Sequence, residues 1–151
     1  MSASTVNVLM VDSVNDDITQ RRHRALSLSG QLRHIVFEYC YAADLDERQE
    51  SMLRAGMLPR VTLNEDSLCA KIEEAIQRFR PQYVLLHTGF VYRQHPDVFV
   101  RVFSRLKRTY LGVMFGVQLR PGMFADPQAF HTSAPVVALQ RLIFDEVLGN
   151  P

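Results

Sequence analysis

The chain has 151 residues, of which 47% are hydrophobic and 22% charged, the makeup of one ordinary globular domain that can bury about 68–70% of its unfolded surface. A formal charge of +1 argues against the concentrated positive footprint that a nucleic-acid binder needs, and no apolar run approaches the ~18 residues of a membrane span. Cys40 and Cys69 lie outside any C-x-x-C spacing, so they read as free buried thiols rather than zinc or thioredoxin-type ligands.

In chain order, Val6–Val11 is an apolar run without polar alternation, the pattern of a strand covered on both faces. It ends in Asp12 and Ser13. Asn15 or Asp16 can then cap a helix through about Ser29, with Gly30 to stop it. A second strand is expected at 34–41, followed by an extra helix or long excursion over Asp44–Gly56 that Leu58-Pro59 closes. Leu68, Ile72, Ile76 and Phe79 recur at helical spacing behind Asn64-Glu65-Asp66, a cap with acids in the first turn, and Pro81 ends that helix. A third strand spans 83–88. Pro96 at a first helical position opens a helix with Val98, Phe99, Val102, Phe103, Leu106 and Tyr110 on one face and Arg101, Arg105 and Arg108 on the other. A fourth strand is expected at 112–118 and a short fifth near 123–131, within an irregular stretch over 120–134. After Pro135, residues Val136, Leu139, Leu142, Ile143 and Val147 describe a closing helix.

Strands that alternate with helices predict an α/β fold in one domain over 1–151: a three-layer α/β/α sandwich on a central, mainly parallel five-stranded sheet. In such sheets ligands sit outside the carboxyl ends of the strands. There Asp12, Ser13, His87 and Thr88 converge, with Gly116–Gln118 on the fourth strand and Asp16 and Asp17 close to the first. These six side chains, Asp12, Ser13, Asp16, Asp17, His87 and Thr88, form the candidate cleft. Each also has a purely structural reading, as a turn or helix cap or as a partner for loose backbone donors.

Two stretches carry a resemblance. Val11–Ile18, with Gly30 after it, resembles the Val-Asp-Asp opening and first helix of receiver domains of two-component signalling. Arg80-Pro-Gln-Tyr-Val-Leu-Leu-His-Thr-Gly resembles their Arg-Pro-Asp-x-Val-Leu-Leu-Asp stretch. The resemblance covers about two thirds of the chain and implies a flavodoxin-like (CheY-like) fold. Receivers hold a divalent cation with two acids, accept phosphate on an aspartate, and use a hydroxyl and a lysine on later strands. Here Asp12 matches one acid and Ser13 replaces the other. His87 stands at the acceptor position, Gly116 and Val117 where the hydroxyl is expected, and no lysine follows Lys107; Arg120 and Arg141 are the late cations. The departures imply a pseudo-receiver: a non-catalytic regulatory domain, not phosphorylated on aspartate, that acts through protein–protein contact.

Met-Val-Asp-Ser (Met10–Ser13) also resembles the Gly-Asp-Ser opening of SGNH, or GDSL, esterases, and Pro81–Phe90 their strand before a Gly-x-Asn-Asp block. That resemblance implies Ser13 as nucleophile, with Asp126 and His131 as orienter and base. Val11 stands where glycine should precede Asp12, and Phe90-Val91-Tyr92 follows Gly89 in place of the oxyanion asparagine. A small-ligand sensor using the same cleft is a third alternative. His95-Pro96-Asp97 reads as a helix cap. No Walker loop, Gly-x-Gly-x-x-Gly or His-Glu-x-x-His is present, so no cofactor and no metal are expected.

Of the 17 basic residues only Lys71 and Lys107 are lysines. Arginine clusters at Arg21, Arg22 and Arg24, and again at Arg101, Arg105 and Arg108. The second cluster is the candidate partner surface, because a guanidinium fork can engage carboxylates bidentately. Phe124, Phe130 and Phe144 are candidate apolar anchors, with a core role the favoured alternative for Phe144. A protein partner or a homodimer is expected, without nucleic acid or membrane. The polar start from Met1 to Thr5 lacks the pattern of a secretory signal, which points to the cytoplasm.

Overall fold

A computed structural model describes residues 4–118 and 126–143. In chain order they form β1 (Val6–Asp12), α1 (Asp17–Leu32), β2 (Ile35–Tyr41), α2 (Glu47–Arg54), α3 (Glu65–Phe79), β3 (Tyr83–His87), α4 (Phe90–Gln94), α5 (Pro96–Thr109), β4 (Met114–Gln118) and α6 (Ala134–Ile143). Among the described residues the sheet has four strands in the order β2-β1-β3-β4, every neighbouring pair parallel. The α/β architecture with a parallel sheet is therefore as expected from the apolar runs.

Strand alternation divides the core into two layers. Leu9, Val11, Val84, Leu86, Phe115 and Val117 point to one face, where α3 and α5 deliver Leu68, Ile72, Phe99, Val102 and Phe103. Val8, Met10 and Leu85 point to the other and meet Leu26 of α1 with Leu139 and Ile143 of α6. Because side chains on a strand alternate with period two, this division also decides which polar residues at the strand ends share a face.

The helix boundaries follow local chemistry. Asp16 caps α1 by accepting from the Thr19 N–H, and Asn64 caps α3 by accepting from the Ser67 N–H. Arg80, in the left-handed region at φ 53°, ends α3 just before Pro81. Pro96 opens α5, while the His95 ring bonds the Val61 carbonyl instead of capping. The Asp44–Gly56 excursion contains α2, started by a reciprocal capping box between Asp46 and Gln49.

Gly30 does not stop α1, which continues to Leu32. It lies where the helix crosses β2, and an added Cβ would meet the Ile35 carbonyl at 2.5 Å and the Phe37 ring at 3.0 Å. Close approach, not chain reversal, is the reason for that glycine. Residues 126–131 of the expected fifth strand form a turn held to β4 at Phe115, not a strand; 123–125 lie outside the described residues. Arg120, Phe124, Phe144 and Val147 lie outside them too. The five-residue α4 had no counterpart in the sequence reading. Cys40 and Cys69 are free and buried, as expected. Among the described residues no helix is long and apolar enough to cross a membrane.

Candidate functional site

The parallel sheet brings one polar row to its carboxyl edge. Asp12 is in register with Tyr41, and His87 with Gln118. Asp12 lies two residues beyond Met10 and His87 two beyond Leu85, so both project to the face covered by α1 and α6.

Asp12 is 2% exposed, and its two oxygens are shared among three basic side chains. His23 Nε2 donates to Oδ2 at 2.6 Å. Arg22 Nη2 donates to Oδ1 at 3.3 Å. His87 Nδ1 lies 3.3 Å from the same Oδ1, without the alignment of a hydrogen bond. An ionised carboxylate only accepts, so His23 carries its N–H on Nε2, and its Nδ1 can take the Tyr41 hydroxyl at 3.1 Å. Tyr39 stacks on the His23 ring with centroids 3.6 Å apart. Its hydroxyl donates to the His23 carbonyl at 2.8 Å and meets Ser27 Oγ at 2.8 Å.

Burial alone would raise the Asp12 pKa. The His23 hydrogen bond and the neighbouring His87 imidazole outweigh it and hold the carboxyl well below the usual carboxylate range. Burial pushes the Tyr39 and Tyr41 phenols up, and the Asp12 charge adds to the shift. Both remain protonated at neutral pH and serve as donors. The arrangement stores one buried negative charge, matches it with imidazole and guanidinium, and ties α1 to β1 and β2.

Asp12 and His87 therefore meet, as the strand-end reading requires. Ser13 and Thr88 stand at the same edge but serve the backbone. Ser13 Oγ accepts from the Val91 N–H at 3.3 Å and packs against Gly89, where any Cβ would collide with that hydroxyl. Thr88 Oγ1 donates to the Gln118 carbonyl at 2.8 Å. Asp16 is the α1 cap, and Asp17 is exposed in its first turn.

The esterase triad is not assembled. Asp126 shapes its own turn by accepting from the Gln128 N–H. His131 is bound to Phe115 through two hydrogen bonds: its N–H donates to the Phe115 carbonyl, and its Nδ1 accepts the Phe115 N–H. Phe115 is in register with Val84 and so with Leu9. Ser13 lies four residues beyond Leu9, about 13 Å along the strand direction and roughly 9–10 Å across two strand spacings.

The α5 arginines are partly engaged within the chain. Arg101 Nε contacts Glu65 Oε1 at 2.5 Å, and Arg105 Nη1 reaches Asp66 at 3.0 Å and Glu65 at 3.5 Å. These ion pairs tie α5 to the first turn of α3, whereas Arg108 is exposed. Phe130 is 2% exposed and packs against Phe103 in the core, so it is no surface anchor.

His23, Tyr39 and Tyr41 are the site residues that sequence reasoning missed, and Arg22, from the arginine cluster of α1, turns inward to Asp12. A signal existed. Thr19, His23, Leu26 and Gly30 form the buried stripe of α1, and a histidine on such a stripe requires a buried partner. Among the described residues no group of three or more His, Cys, Asp or Glu side chains is arranged to hold a metal ion. No protein-family model matches the chain, and no curated protein matches it.

Proposed function

We propose that the chain is a receiver-like regulatory domain that works through protein–protein contact and carries no phosphoaspartate. The observation behind this reading is the state of Asp12. Its oxygens are held by His23, Arg22 and His87, so a divalent cation would have to displace three cationic or imidazole partners. Ser13, in the second acid's place, is committed to the α4 backbone. The acceptor position holds an imidazole beside the same carboxylate. In this reading the four parallel strands are the first four of a five-stranded flavodoxin-like sheet, and the buried charge cluster stabilises one conformation in place of a phosphate-controlled switch. The setting is cytoplasmic, and the partner is another protein or a second copy of the chain.

The test is incubation with acetyl phosphate and Mg²⁺, and separately with beryllofluoride and Mg²⁺. The intact mass should not gain a phosphoryl group, and the amide spectrum around Asp12, Ser13 and His87 should not move. A stoichiometric phosphoryl group that hydroxylamine removes, as it does an acyl phosphate, or a saturable beryllofluoride complex would overturn the reading.

A further inference from the structure

Beside the Asp12 cluster, but not part of it, lies a groove of about 780 Å³. One wall is the loop after β1 with the first turn of α1. The other is the loop after β2 with α2. Val14 and Ala43, both buried, lie along its floor. Ile18 lines it at 63% exposed, an isoleucine left in water on the wall of a concave surface.

The α2 wall is unusual. Its eight residues include none that is fully buried, and a helix that short does not hold by itself in water, where about 12–15 residues are marginal. A capping box and the Gln49 bond to the Arg60 carbonyl hold it in place. Leu45 and Leu53 are only half covered by the core and also line the groove. The helix thus rests on the core only through part of its apolar side, and Leu53 shares that side with the groove.

Charge narrows the choice of occupant. Asp16, Asp17, Asp44 and Glu50 line the groove against Arg21 and Arg54. Asp16 is occupied as a cap, whereas the Asp44 carboxylate is 95% exposed with Lys71 only at 3.8 Å. The chain as a whole carries +1, so this acidic excess is local. An apolar floor beneath carboxylates complements a ligand with apolar side chains on one side and cations on its flanks. The groove is open to solvent rather than enclosed, which suits a segment lying in it better than a sequestered small molecule.

We infer that this groove receives a short basic amphipathic helix of a protein partner. Its apolar side chains would rest on Val14, Ile18 and Leu53, and its lysines or arginines against Asp17, Asp44 and Glu50. The inference names the partner's chemistry for the regulatory reading above and rests on that reading for its biological sense.

The experiment titrates the ¹⁵N-labelled full chain with three peptides of about 14 residues, a length at which an amphipathic helix begins to hold. The first is helical and built from Leu, Ala and Lys. The second replaces Lys by Glu, and the third replaces Leu by Ser. The first should bind saturably and shift amides within 14–18 and 43–54. The others should bind at least about tenfold more weakly. The triple variant Asp17→Asn, Asp44→Asn, Glu50→Gln, all on exposed residues, should weaken the first peptide by roughly tenfold. Equal binding of the second or third peptide, shifts centred elsewhere, or no effect of the triple variant would overturn the inference. So would the same amide shifts appearing with protein concentration alone, which would mark a second copy as the occupant. Phosphorylation by acetyl phosphate would overturn the regulatory reading and leave a positive titration standing. A silent titration with no phosphorylation would overturn the groove alone.

Discussion

His23 of α1 and Asp12 of β1 meet at 2.6 Å beneath the helix, so a helix and a strand share a single buried charge. Asp12→Asn preserves the shape but leaves Arg22 without its counter-charge and offers His23 and His87 only a neutral amide in place of the carboxylate. Removing one partner from a buried ionic cluster is costly because the remaining charges stay desolvated. The expected loss is about 2–4 kcal/mol in urea unfolding. A loss within about 0.5 kcal/mol, the range of ordinary surface changes, would show that the cluster does not secure α1.

The same residue gives a pH dependence. The folded carboxyl titrates below its unfolded value of about 3.9. Its contribution is therefore fully present above that value and lost as pH falls from about 4 toward the folded pKa. The stability gap between the wild-type chain and Asp12→Asn should narrow as pH falls below about 4. A gap that widens on acidification would contradict the assignment.

His131 behaves in the opposite part of the range. Burial, helped by the charge of Lys107, lowers its pKa, and its neutral Nδ1 accepts the Phe115 N–H. The folded state thus favours the neutral ring, and that preference is lost as pH falls through about 6.5, the unfolded value. Hydrogen exchange at the Phe115 amide, corrected for intrinsic rate, should accelerate below about pH 6.5. His131→Gln should remove this pH dependence.

Gly30→Ala sets propensity against packing. Alanine gains about 1 kcal/mol over glycine in a helix interior, yet its Cβ would press on the Ile35 carbonyl at 2.5 Å. Backbone cannot rotate away as a side chain can, and overpacking of this kind costs about 1–3 kcal/mol. A net destabilisation in thermal unfolding is expected; a raised melting temperature would show that α1 and β2 can separate freely.

The sheet was legible because buried parallel strands write themselves as short apolar runs, and Val6–Val11 and Tyr83–His87 fall on β1 and β3. Caps were legible too, since Asp16, Asn64 and Pro96 act through local chemistry. Gly30 was misjudged because a glycine required by the close approach of Ile35 and Phe37 on the next strand looks the same in sequence as one that ends a helix. In the site, Asp12 and His87 could be paired from topology alone. His23 could not be recognised so readily, because only its place on the buried stripe of α1 distinguishes it from the arginines around it. Arg22 escaped for a related reason: a long side chain at a helix edge can curl to either side, and a pattern read along one helix does not say which.

The excursion between β2 and α3 is stitched down at both ends. Ala42 and Ala43 donate to the carbonyls of Asp12 and Ser13, and Gln94 clasps Pro59 and Val61 from the far side. Between those stitches α2 contributes no fully buried residue. Leu45 and Leu53 rest only partly on the core, so exchanging the stretch between Ala43 and Pro59 for one of matching span is expected to leave the register of β1 and β2 unchanged, as amide hydrogen exchange across those strands would report.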